Sequence, residues 1–481
     1  MGPHQLEKLF SPGSIAVFGA CETRESVGAR VLRNLIQAGF PGDLYPINPK
    51  HDQAEGRKCY KSLEEVEGSI DLAIVASPTA EVNRIIRDCG ERGIGAAVVL
   101  TGGFRDFGSS GRQSEQVLLD TARHYNIRLM GPNCLGLMRP SAGLDASYLE
   151  TPAPDGRLAL VSQSGALCTA ILDWAKPHNL GFSTIVSLGN AADIDFGDVL
   201  DYLAVDARTD AIILYIEGIH DSRSFMSGLR AAARSKPVIV IKVGRNSGGS
   251  LAASTHTGAM IGSDDVFDAA LERAGVVRAM TFGQMFAAAE ILSTSKRTSG
   301  NRLAIVTNGG GPGVLATDRA EDLGVEIARL TEKTVATLHK TLPAYWSGAN
   351  PVDILGDASP EQYGEAVAAC LEDGNVDGVL TLLTPQPLSQ PLQAAQAVAE
   401  VAGNKRSKPV LTCWMGETQV KDAREYLNSK RLPSFITPER AVEAFAYLSR
   451  YHCNQRLLLQ TPGPLSDSRE PDIEGARLII D

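Results

Sequence analysis

The sequence predicts an α/β protein built from doubly wound parallel sheets, and three observations support this. Short runs of apolar and β-branched residues alternate with amphipathic stretches of helical length along most of the 481-residue chain. The apolar runs are continuous rather than alternating, which is typical of strands that helices cover on both faces. The alternation restarts twice, so three successive units are expected, in line with ~150 residues per domain.

The first unit is predicted over residues 1–140. Its strands are expected at 14–18, 43–47, 72–76, 96–100 and 127–130, because each is a short apolar run bounded by turn residues. Helices are expected between them at 28–38, 81–92 and 114–124, where apolar residues recur at helical spacing. A proline-rich stretch at 151–154 ends this part of the chain.

The second unit is predicted over residues 155–295 and the third over 300–460. Strands of the second are expected at 157–161, 183–187, 211–216 and 238–243, with helices at 166–175 and from about 264. Strands of the third are expected at 302–307, 378–383 and 409–413, and its last helix near Leu459. Residues 461–468 have a linker composition, and a helix-like pattern restarts at 473–480. We therefore expect residues 461–481 to lead towards a further domain.

Composition excludes several classes of function. The net charge is −10 and no basic block is present, which disfavours a nucleic-acid partner. No run approaches the ~18–20 apolar residues of a membrane span, and the start lacks the pattern of a signal peptide. The eight cysteines are scattered without a Cys-x-x-Cys pair, which is typical of a reduced, cytoplasmic protein.

The first predicted strand runs into a loop that begins Gly19-Ala20-Cys21 and leads to a helix. Ligands of doubly wound sheets lie beyond the carboxyl ends of the strands, and a helix N-terminus there attracts phosphate. The second strand is followed by Lys50, where a ribose-binding NAD site expects an acidic residue. Lysine suits an additional phosphate on the ribose instead, which disfavours an NAD-dependent oxidoreductase. A plain turn with a surface lysine remains the alternative.

Three further strand ends carry small or polar residues and are expected to line the same crevice. They are Ser77-Pro78, Thr101-Gly102 and Asn133-Cys134. Cys134 has two interpretations, a thiol nucleophile or a small residue in a tight turn, and the second is favoured.

A loop of about 20 residues, 244–263, is rich in Gly, Ser and Ala and holds one histidine, His256. Loops of this length inside a compact domain are usually functional or disordered. An imidazole can attack phosphorus and carry a phosphoryl group, so His256 is the candidate nucleophile. A solvated loop histidine is the alternative.

Two glycine-containing strand-to-helix turns are candidates for holding that phosphoryl group through helix N-termini. One contains Ser162, Ser164 and Gly165, with Ser164 expected at the N-cap, and the other contains Asn308, Gly309, Gly310 and Gly311. Glu217 follows the strand at 211–216 and is expected to orient the imidazole by accepting its second N–H; a surface acid is the alternative. His220 is interpreted as a loop residue.

These motifs together resemble the NDP-forming acyl-CoA synthetases, the superfamily that includes succinyl-CoA synthetase. Ser-Thr-His-Thr-Gly-Ala at 254–259 resembles the phosphohistidine loop of ADP-forming acetate–CoA ligases, and 162–165 resembles their phosphate-binding turn. Residues 307–313, with Asn-Pro-Val-Asp at 350–353, resemble the fused second ligase domain. The resemblance implies a Rossmann-like CoA-binding domain followed by two flavodoxin-like ligase domains.

The resemblance also implies the site residues. Coenzyme A or acyl-CoA is expected at Gly19, Ala20, Cys21, Lys50, Ser77, Pro78, Thr101, Gly102, Asn133 and Cys134. His256 is expected to carry the phosphoryl group with Glu217 as its support, and no metal is expected on this chain. The implied reaction interconverts acyl-CoA, phosphate and a nucleoside diphosphate with acid, CoA and a nucleoside triphosphate.

Members of this family make the nucleoside triphosphate on an ATP-grasp domain, and no such pattern is recognisable in these residues. The tail at 461–481 resembles the linker that leads into that domain, so an ATP-grasp partner subunit or downstream domain is expected. Mg²⁺ is expected there with ADP or ATP, and the protein is expected to be oligomeric.

The alternative function belongs to a different class. Bacterial protein lysine acetyltransferases with a GNAT domain carry a similar three-domain region as an acyl-CoA-sensing regulatory module, often without the histidine. The retention of His256 and Glu217 favours the ligase.

Overall fold

Three sheets of mainly parallel strands, one after another along the chain, form the frame of the protein. The computed structural model describes residues 6–23, 25–105, 108–176, 180–246, 248–249, 263–292, 297–344, 346–404 and 408–459. The predicted α/β class is confirmed, because buried parallel strands alternate with helices in each of the three sheets. Within these residues no helix combines the length and the apolar character that a membrane crossing requires.

The first sheet is entirely parallel, with the strand order β2-β1-β5-β6-β7 and a small separate hairpin, β3–β4. The elements up to residue 130 are α1 Glu7–Phe10, β1 Ser14–Phe18, α2 Val27–Gln37, β2 Asp43–Ile47, β3 Gln53–Ala54, β4 Arg57–Lys58, β5 Leu72–Val75, α3 Thr79–Glu91, β6 Ala96–Val99, α4 Gly108–His124 and β7 Arg128–Met130. Strands β1, β5 and β6 are buried along their whole length, which explains their continuous apolar sequences.

Helix α4 begins at Gly108, six residues before the start that the sequence predicts. The additional turn is Gly-Ser-Ser-Gly-Arg-Gln, whose glycines and serines have low helix propensity. Packing of α4 on α3 outweighs that local preference.

The second sheet has the order β14-β13-β12-β10-β11-β8-β9. Its elements are β8 Gly136–Arg139, β9 Leu144–Ser147, β10 Asp155–Ser162, α5 Gly165–Ala175, β11 Phe182–Ser187, α6 Phe196–Val205, β12 Ala211–Ile216, α7 Ser222–Ser235, β13 Val238–Lys242, α8 Asp264–Ala274, β14 Val277–Ala279 and α9 Phe282–Leu292. The hairpin β8–β9 pairs antiparallel with β11 through β8, so residues 136–139, which the sequence assigns to the first unit, extend this second sheet.

The third sheet has the order β16-β15-β18-β19-β20, and β17 also pairs with β15. Its elements are β15 Arg302–Thr307, α10 Gly310–Asp322, β16 Glu326–Ile327, α11 Glu332–Thr341, β17 Val352–Asp353, α12 Pro360–Glu372, β18 Gly378–Leu383, α13 Pro391–Asn404, β19 Val410–Trp414, α14 Lys421–Ser429, β20 Ser434–Phe435 and α15 Pro438–Leu459. When the strands of the third sheet are renumbered in chain order without β17, their order is 2-1-3-4-5. The second sheet without the hairpin β8–β9 has the same order. Short 3₁₀ turns lie at Leu63–Glu65, Pro140–Ala142 and Thr418–Val420. The helix-like pattern at 473–480 lies outside the described residues.

Buried apolar clusters connect the sheets. One cluster joins the first sheet to α6 and the hairpin β8–β9, and another joins the second sheet to the third through α9 and α15. At this second contact Arg319 of α10 pairs with Glu443 of α15, which also accepts from Gln284 of α9 at 3.3 Å. The exact boundaries predicted for the three domains stay predictions.

Asp145, in strand β9, gives the fold a predictable pH dependence. Burial raises the pKa of its carboxyl from 3.8 to about 6, although hydrogen bonds from the Ser147 hydroxyl and backbone N–H oppose the rise. The folded protein therefore holds this proton more tightly than the unfolded chain does. This carboxyl's contribution to stability is greatest below pH ~4 and falls as the pH rises to ~6.

Asp145→Asn removes this titration while keeping an oxygen acceptor for Ser147. We expect the free energies of unfolding of variant and wild type to converge near pH ~4. Above pH ~6 the variant should be more stable by about 3 kcal/mol. Urea unfolding across this pH range measures the difference, with the exposed Asp422→Asn as the control. A constant offset at every pH would contradict the prediction.

Candidate active site

The four strand ends that the sequence predicts to share a crevice do lie along one edge of the first sheet. Asn133 donates its backbone N–H to the Thr101 carbonyl at 3.0 Å, and the Thr101 hydroxyl donates to the Ser77 carbonyl at 2.7 Å. The backbone N–H of Ala76 in turn donates to the Phe18 carbonyl at 3.1 Å, next to Gly19. The residues predicted to bind coenzyme A are thus consecutive neighbours along this edge, which we call the CoA edge.

The Gly19 turn requires glycine. Gly19 has φ +84°, and a Cβ there would lie 2.7 Å from the Ala76 carbonyl oxygen. A Cβ on Gly28, in the first turn of α2, would lie 2.3 Å from the Gly19 carbonyl oxygen. This close approach brings the Gly19-Ala20-Cys21 turn onto the N-terminal end of α2, where Ser26 accepts the Ala29 backbone N–H at 3.2 Å. Backbone N–H groups and the helix dipole are therefore directed to the CoA edge.

Lys50 lies at the border of the CoA edge. Asn48 donates from Nδ2 to the Ala20 carbonyl at 2.9 Å and accepts the Lys50 backbone N–H on Oδ1 at 3.0 Å. The Lys50 side chain is exposed, and among the described residues it forms no salt bridge. It is thus held close to the Gly19 turn by its backbone while its ammonium group remains available to an anion.

The remaining residues of the CoA edge contribute mainly backbone. Pro78 occupies the N-cap position of α3, and Ser77 is buried. A Cβ on Gly102 would lie 2.9 Å from Oδ1 of Asn133, so that position also requires a small residue. The Cys134 thiol is buried and donates to the Val99 carbonyl at 3.4 Å, and burial raises its pKa to about 12. This geometry supports the interpretation of Cys134 as a small residue in a tight turn, not a nucleophile.

The turn after β10 is joined directly to Glu217 by an amide side chain. Oε1 of Gln163 accepts the backbone N–H of Glu217 at 2.7 Å and that of Gly218 at 3.0 Å, and Nε2 donates to the Gly218 carbonyl at 2.8 Å. Glu217 is buried at the end of β12. Burial and the Glu217 carboxylate raise the pKa of Tyr215 to about 12, so that phenol stays protonated.

Helix α5 begins just beyond this turn. Ser164 takes the N-cap position, as predicted, but its hydroxyl makes no capping hydrogen bond to the first turn. Instead the Ser162 hydroxyl donates to the Ser164 carbonyl at 2.9 Å and accepts the Ser164 backbone N–H at 3.0 Å. Gly165 follows in the first helical turn, so no side chain caps the N–H groups there.

The turn after β15 repeats this arrangement. Asn308 accepts the Thr384 backbone N–H and donates to the Thr384 carbonyl, both at 2.8 Å, as Gln163 does at Glu217–Gly218. The Thr307 hydroxyl donates to the Gly309 carbonyl at 2.8 Å, which matches Ser162 and Ser164. Helix α10 begins without a side-chain cap, and Gly310 and Gly311 are exposed there. The two predicted phosphate-binding turns are therefore built alike.

The roles of Gln163 and Asn308 were not predicted from the sequence. A signal was available, because both turns read as hydroxyl, amide, small residue and glycine directly after a buried strand. His256 lies outside the described residues. The segment that contains it leaves the second sheet after Lys242, whose strand partner in register is Ile216, next to Glu217.

Comparison with known proteins gives three consecutive family matches. They are a CoA binding domain over residues 13–140, a succinyl-CoA ligase like flavodoxin domain over 155–292 and a Ligase-CoA domain over 303–455. Among solved structures, the dinucleotide forming acetyl-coenzyme A synthetase 1 of Ca. Korarchaeum cryptofilum, in complex with phosphate and ADP, is 35% identical. The two structures superpose with a TM-score of 0.89, and the match covers 95% of this chain and 99% of the synthetase chain.

Two curated relatives show how much of a whole protein this chain represents. Acetate–CoA ligase [ADP-forming] I of Archaeoglobus fulgidus is 40% identical over 93% of this chain, which spans 64% of that protein. Acetate–CoA ligase [ADP-forming] I subunit alpha of Pyrococcus furiosus is 37% identical over 93% of this chain, which spans 97% of that subunit. The resemblance read from the motifs is confirmed, and the chain belongs to the family of ADP-forming acetate–CoA ligases.

Proposed function

We propose that this chain is the CoA-binding and phosphohistidine-bearing part of an ADP-forming acyl-CoA synthetase. The observation that carries the proposal is the pair of matching turns at Ser162–Gly165 and Thr307–Gly311, one of them joined through Gln163 to the buried Glu217. The CoA edge lies on the first sheet of the same chain, and backbone hydrogen bonds from Asn190 and Ala192 of the second domain reach the carbonyls of Pro132 and Gly131 beside it. The same chain thus holds elements for binding acyl-CoA, for holding phosphate and for supporting a nucleophilic histidine.

The proposed chemistry has three transfers. A phosphate oxygen attacks the thioester carbonyl carbon, the C–S bond breaks, and coenzyme A leaves as the thiol after taking the proton from phosphate. The His256 imidazole then attacks phosphorus, the P–O bond to the acyl group breaks, and the carboxylate leaves. Finally an oxygen of the nucleoside diphosphate attacks phosphorus, the N–P bond breaks, and neutral His256 is regenerated with the nucleoside triphosphate.

The helix N-termini of α5 and α10 supply uncapped N–H groups that suit the charged oxygens of phosphate and of phosphohistidine. In this scheme Glu217 accepts the second N–H of the imidazole and so selects the tautomer that attacks. These assignments rest on how the described turns are held and on the family match.

The last transfer requires an ATP-grasp subunit or domain, and two relatives of this chain are named as alpha subunits. Mg²⁺ would neutralise the charge of the nucleotide phosphates in that transfer. The described part of this chain has no group of three or more His, Cys, Asp or Glu side chains arranged for a metal. The ion is proposed to bind on the partner, together with the nucleotide phosphates that it neutralises.

The test is ATP formation from acetyl-CoA, phosphate and ADP with Mg²⁺, using the full chain mixed with an ATP-grasp subunit of the same family. Net ATP formation that requires both proteins is the expected result. Tight acyl-CoA binding without turnover or phosphorylation would instead favour the acyl-CoA-sensing module of a lysine acetyltransferase. The comparisons give no support for that alternative, because the relatives described are ligases.

Lys50 is expected to contact an anionic group of coenzyme A at the ribose. Lys50→Glu should weaken the binding of coenzyme A more than that of dephospho-CoA, by about 1.5–3 kcal/mol for a charge-assisted contact. Calorimetry with both ligands measures this difference. Lys333→Glu, an exposed lysine of α11, is the control for the same change of charge and should affect neither ligand. Equal losses for the two ligands with Lys50→Glu would remove Lys50 from the site.

A further inference from the structure

A network of four polar side chains joins the first domain to the second. Glu115 of α4 is buried, and each of its carboxylate oxygens has a donor. Oε1 accepts from Nε of Arg105 at 2.7 Å, and Oε2 accepts from Nδ2 of Asn190 in the second domain at 2.8 Å. Arg105 also reaches the second domain, with Nη1 3.2 Å from Nε2 of His220. We call these four residues the interdomain latch.

The latch lies between the two parts of the proposed site. Arg105 follows the strand-end turn that begins with Thr101 and Gly102, so it continues the CoA edge. His220 follows Glu217 by three residues, in the turn that Gln163 holds. The latch therefore connects the turn proposed to bind acyl-CoA with the turn proposed to support the nucleophilic histidine.

The charges of the latch residues determine which groups donate and which accept hydrogen bonds. Arginine has only donors, so Nε2 of His220 accepts and the imidazole is neutral. The loss of solvation around the ring and the neighbouring Arg105 cation both lower the pKa of His220, which also hydrogen-bonds the backbone of Asn190. Because Glu115 is a buried carboxylate, removing either donor would leave part of its charge unpaired. The arrangement with both donors in place is therefore strongly favoured in energy.

Backbone contacts beside the latch bring the same two domains together at the CoA edge. The backbone N–H of Asn190 donates to the Pro132 carbonyl at 2.9 Å, and that of Ala192 donates to the Gly131 carbonyl at 3.0 Å. A Cβ on Gly189 would lie 2.4 Å from the Asn133 carbonyl oxygen. The second domain thus directly supports the Asn133 turn, and Asn190 takes part in both contacts.

We propose that the interdomain latch positions the thioester of bound acyl-CoA relative to the phosphate and histidine site, with Arg105 and His220 as positioning residues. This inference rests on the proposed function. Attack on the thioester requires the CoA-binding domain to be held in register with the second domain. Phosphorylation of His256 by ATP through the partner does not involve that domain, so the latch should affect one route to phosphohistidine and not the other.

The experiment compares the two routes in the full chain with its ATP-grasp partner. One route uses acetyl-CoA with radiolabelled phosphate, and the other uses ATP labelled on its terminal phosphate. Arg105→Gln and His220→Phe should slow labelling from acetyl-CoA and phosphate by about tenfold or more, since small misplacements of reacting groups have effects of this size. Labelling from ATP and the affinity for coenzyme A should be unchanged. His220→Gln, which keeps an acceptor for Arg105, should recover most of the rate.

An interdomain ion pair away from the latch provides the matched control. Arg128, at the start of β7, contacts Asp193 at 3.0 Å and Asp198 at 3.1 Å, at the end of the strand opposite to the CoA edge. Arg128→Gln weakens the same domain contact, yet it should leave both routes unchanged. The inference is overturned if the latch variants label as fast as the wild type from acetyl-CoA and phosphate, or if they slow both routes equally. It is also overturned if Arg128→Gln slows the acetyl-CoA route as much as the latch variants do. Absence of labelling by either route in the wild type would instead refute the proposed function.

Discussion

Replacing His256 by alanine is expected to abolish phosphorylation of the chain and all turnover. The variant has no imidazole nitrogen to attack phosphorus, and the segment 244–263 contains no other histidine. The affinity for coenzyme A should not change, because the CoA edge belongs to a different sheet. The measurement is labelling from acetyl-CoA and radiolabelled phosphate with the ATP-grasp partner present, with the label acid-labile and base-stable in the wild type.

His124→Ala is the matched control, because His124 is an exposed histidine in the last turn of α4. It should retain full labelling. Equal labelling of the wild type and the His256→Ala variant would show that the mechanism is wrong. A wild type that never labels but binds acyl-CoA tightly would support a sensing module instead.

Glu217→Gln is expected to slow phosphorylation by roughly 10²-fold or more, since the imidazole loses an oriented anion that favours the attacking tautomer. The backbone of residue 217 should stay in place, because Gln163 holds its N–H at 2.7 Å whatever the side chain is. The amide also has nearly the same shape as the carboxylate. The rate of labelling should therefore fall while the affinity for coenzyme A is retained.

Rapid-quench measurement of labelling tests this expectation. The control is Glu425→Gln, which makes the same chemical change at an exposed glutamate of α14, distant in sequence from Glu217. It should not alter the rate. If Glu217→Gln labels as fast as the wild type, Glu217 is a buried structural acid without a role in the transfer.

The strands of five or six residues were predictable because they are runs of mainly apolar and β-branched residues bounded by turn residues. Strands β1, β2, β12, β15 and β18 begin and end at the residues expected from the sequence. The short edge strands β14, β16, β17 and β20, of two or three residues, were not predicted, since so few residues carry no periodic signal. The hairpin β8–β9 was missed for another reason: it forms by pairing with β11, whose partner cannot be read from local sequence.

The candidate site also has one part that the sequence predicted and another that it did not. Glycine-containing turns after buried strands predicted the CoA edge and the two phosphate-binding turns, because parallel strands bring their carboxyl ends to one edge of a sheet. The side chains that join separate turns were not predictable in this way. Gln163 binds the backbone of residues more than 50 positions away, and Arg105 meets His220 across 115 positions.

By itself the sequence therefore determined the α/β class, the alternation of the longer strands with helices in three successive units and the chemistry of the candidate residues. These depend on local periodicity and on residue type, which any short window of the chain contains. Only the tertiary structure decided that β8–β9 extends the second sheet, that Cys134 faces the interior and that a network of polar side chains joins the CoA edge to the Glu217 turn. Such contacts depend on how far apart folded segments lie in space, which residue spacing along the chain does not specify.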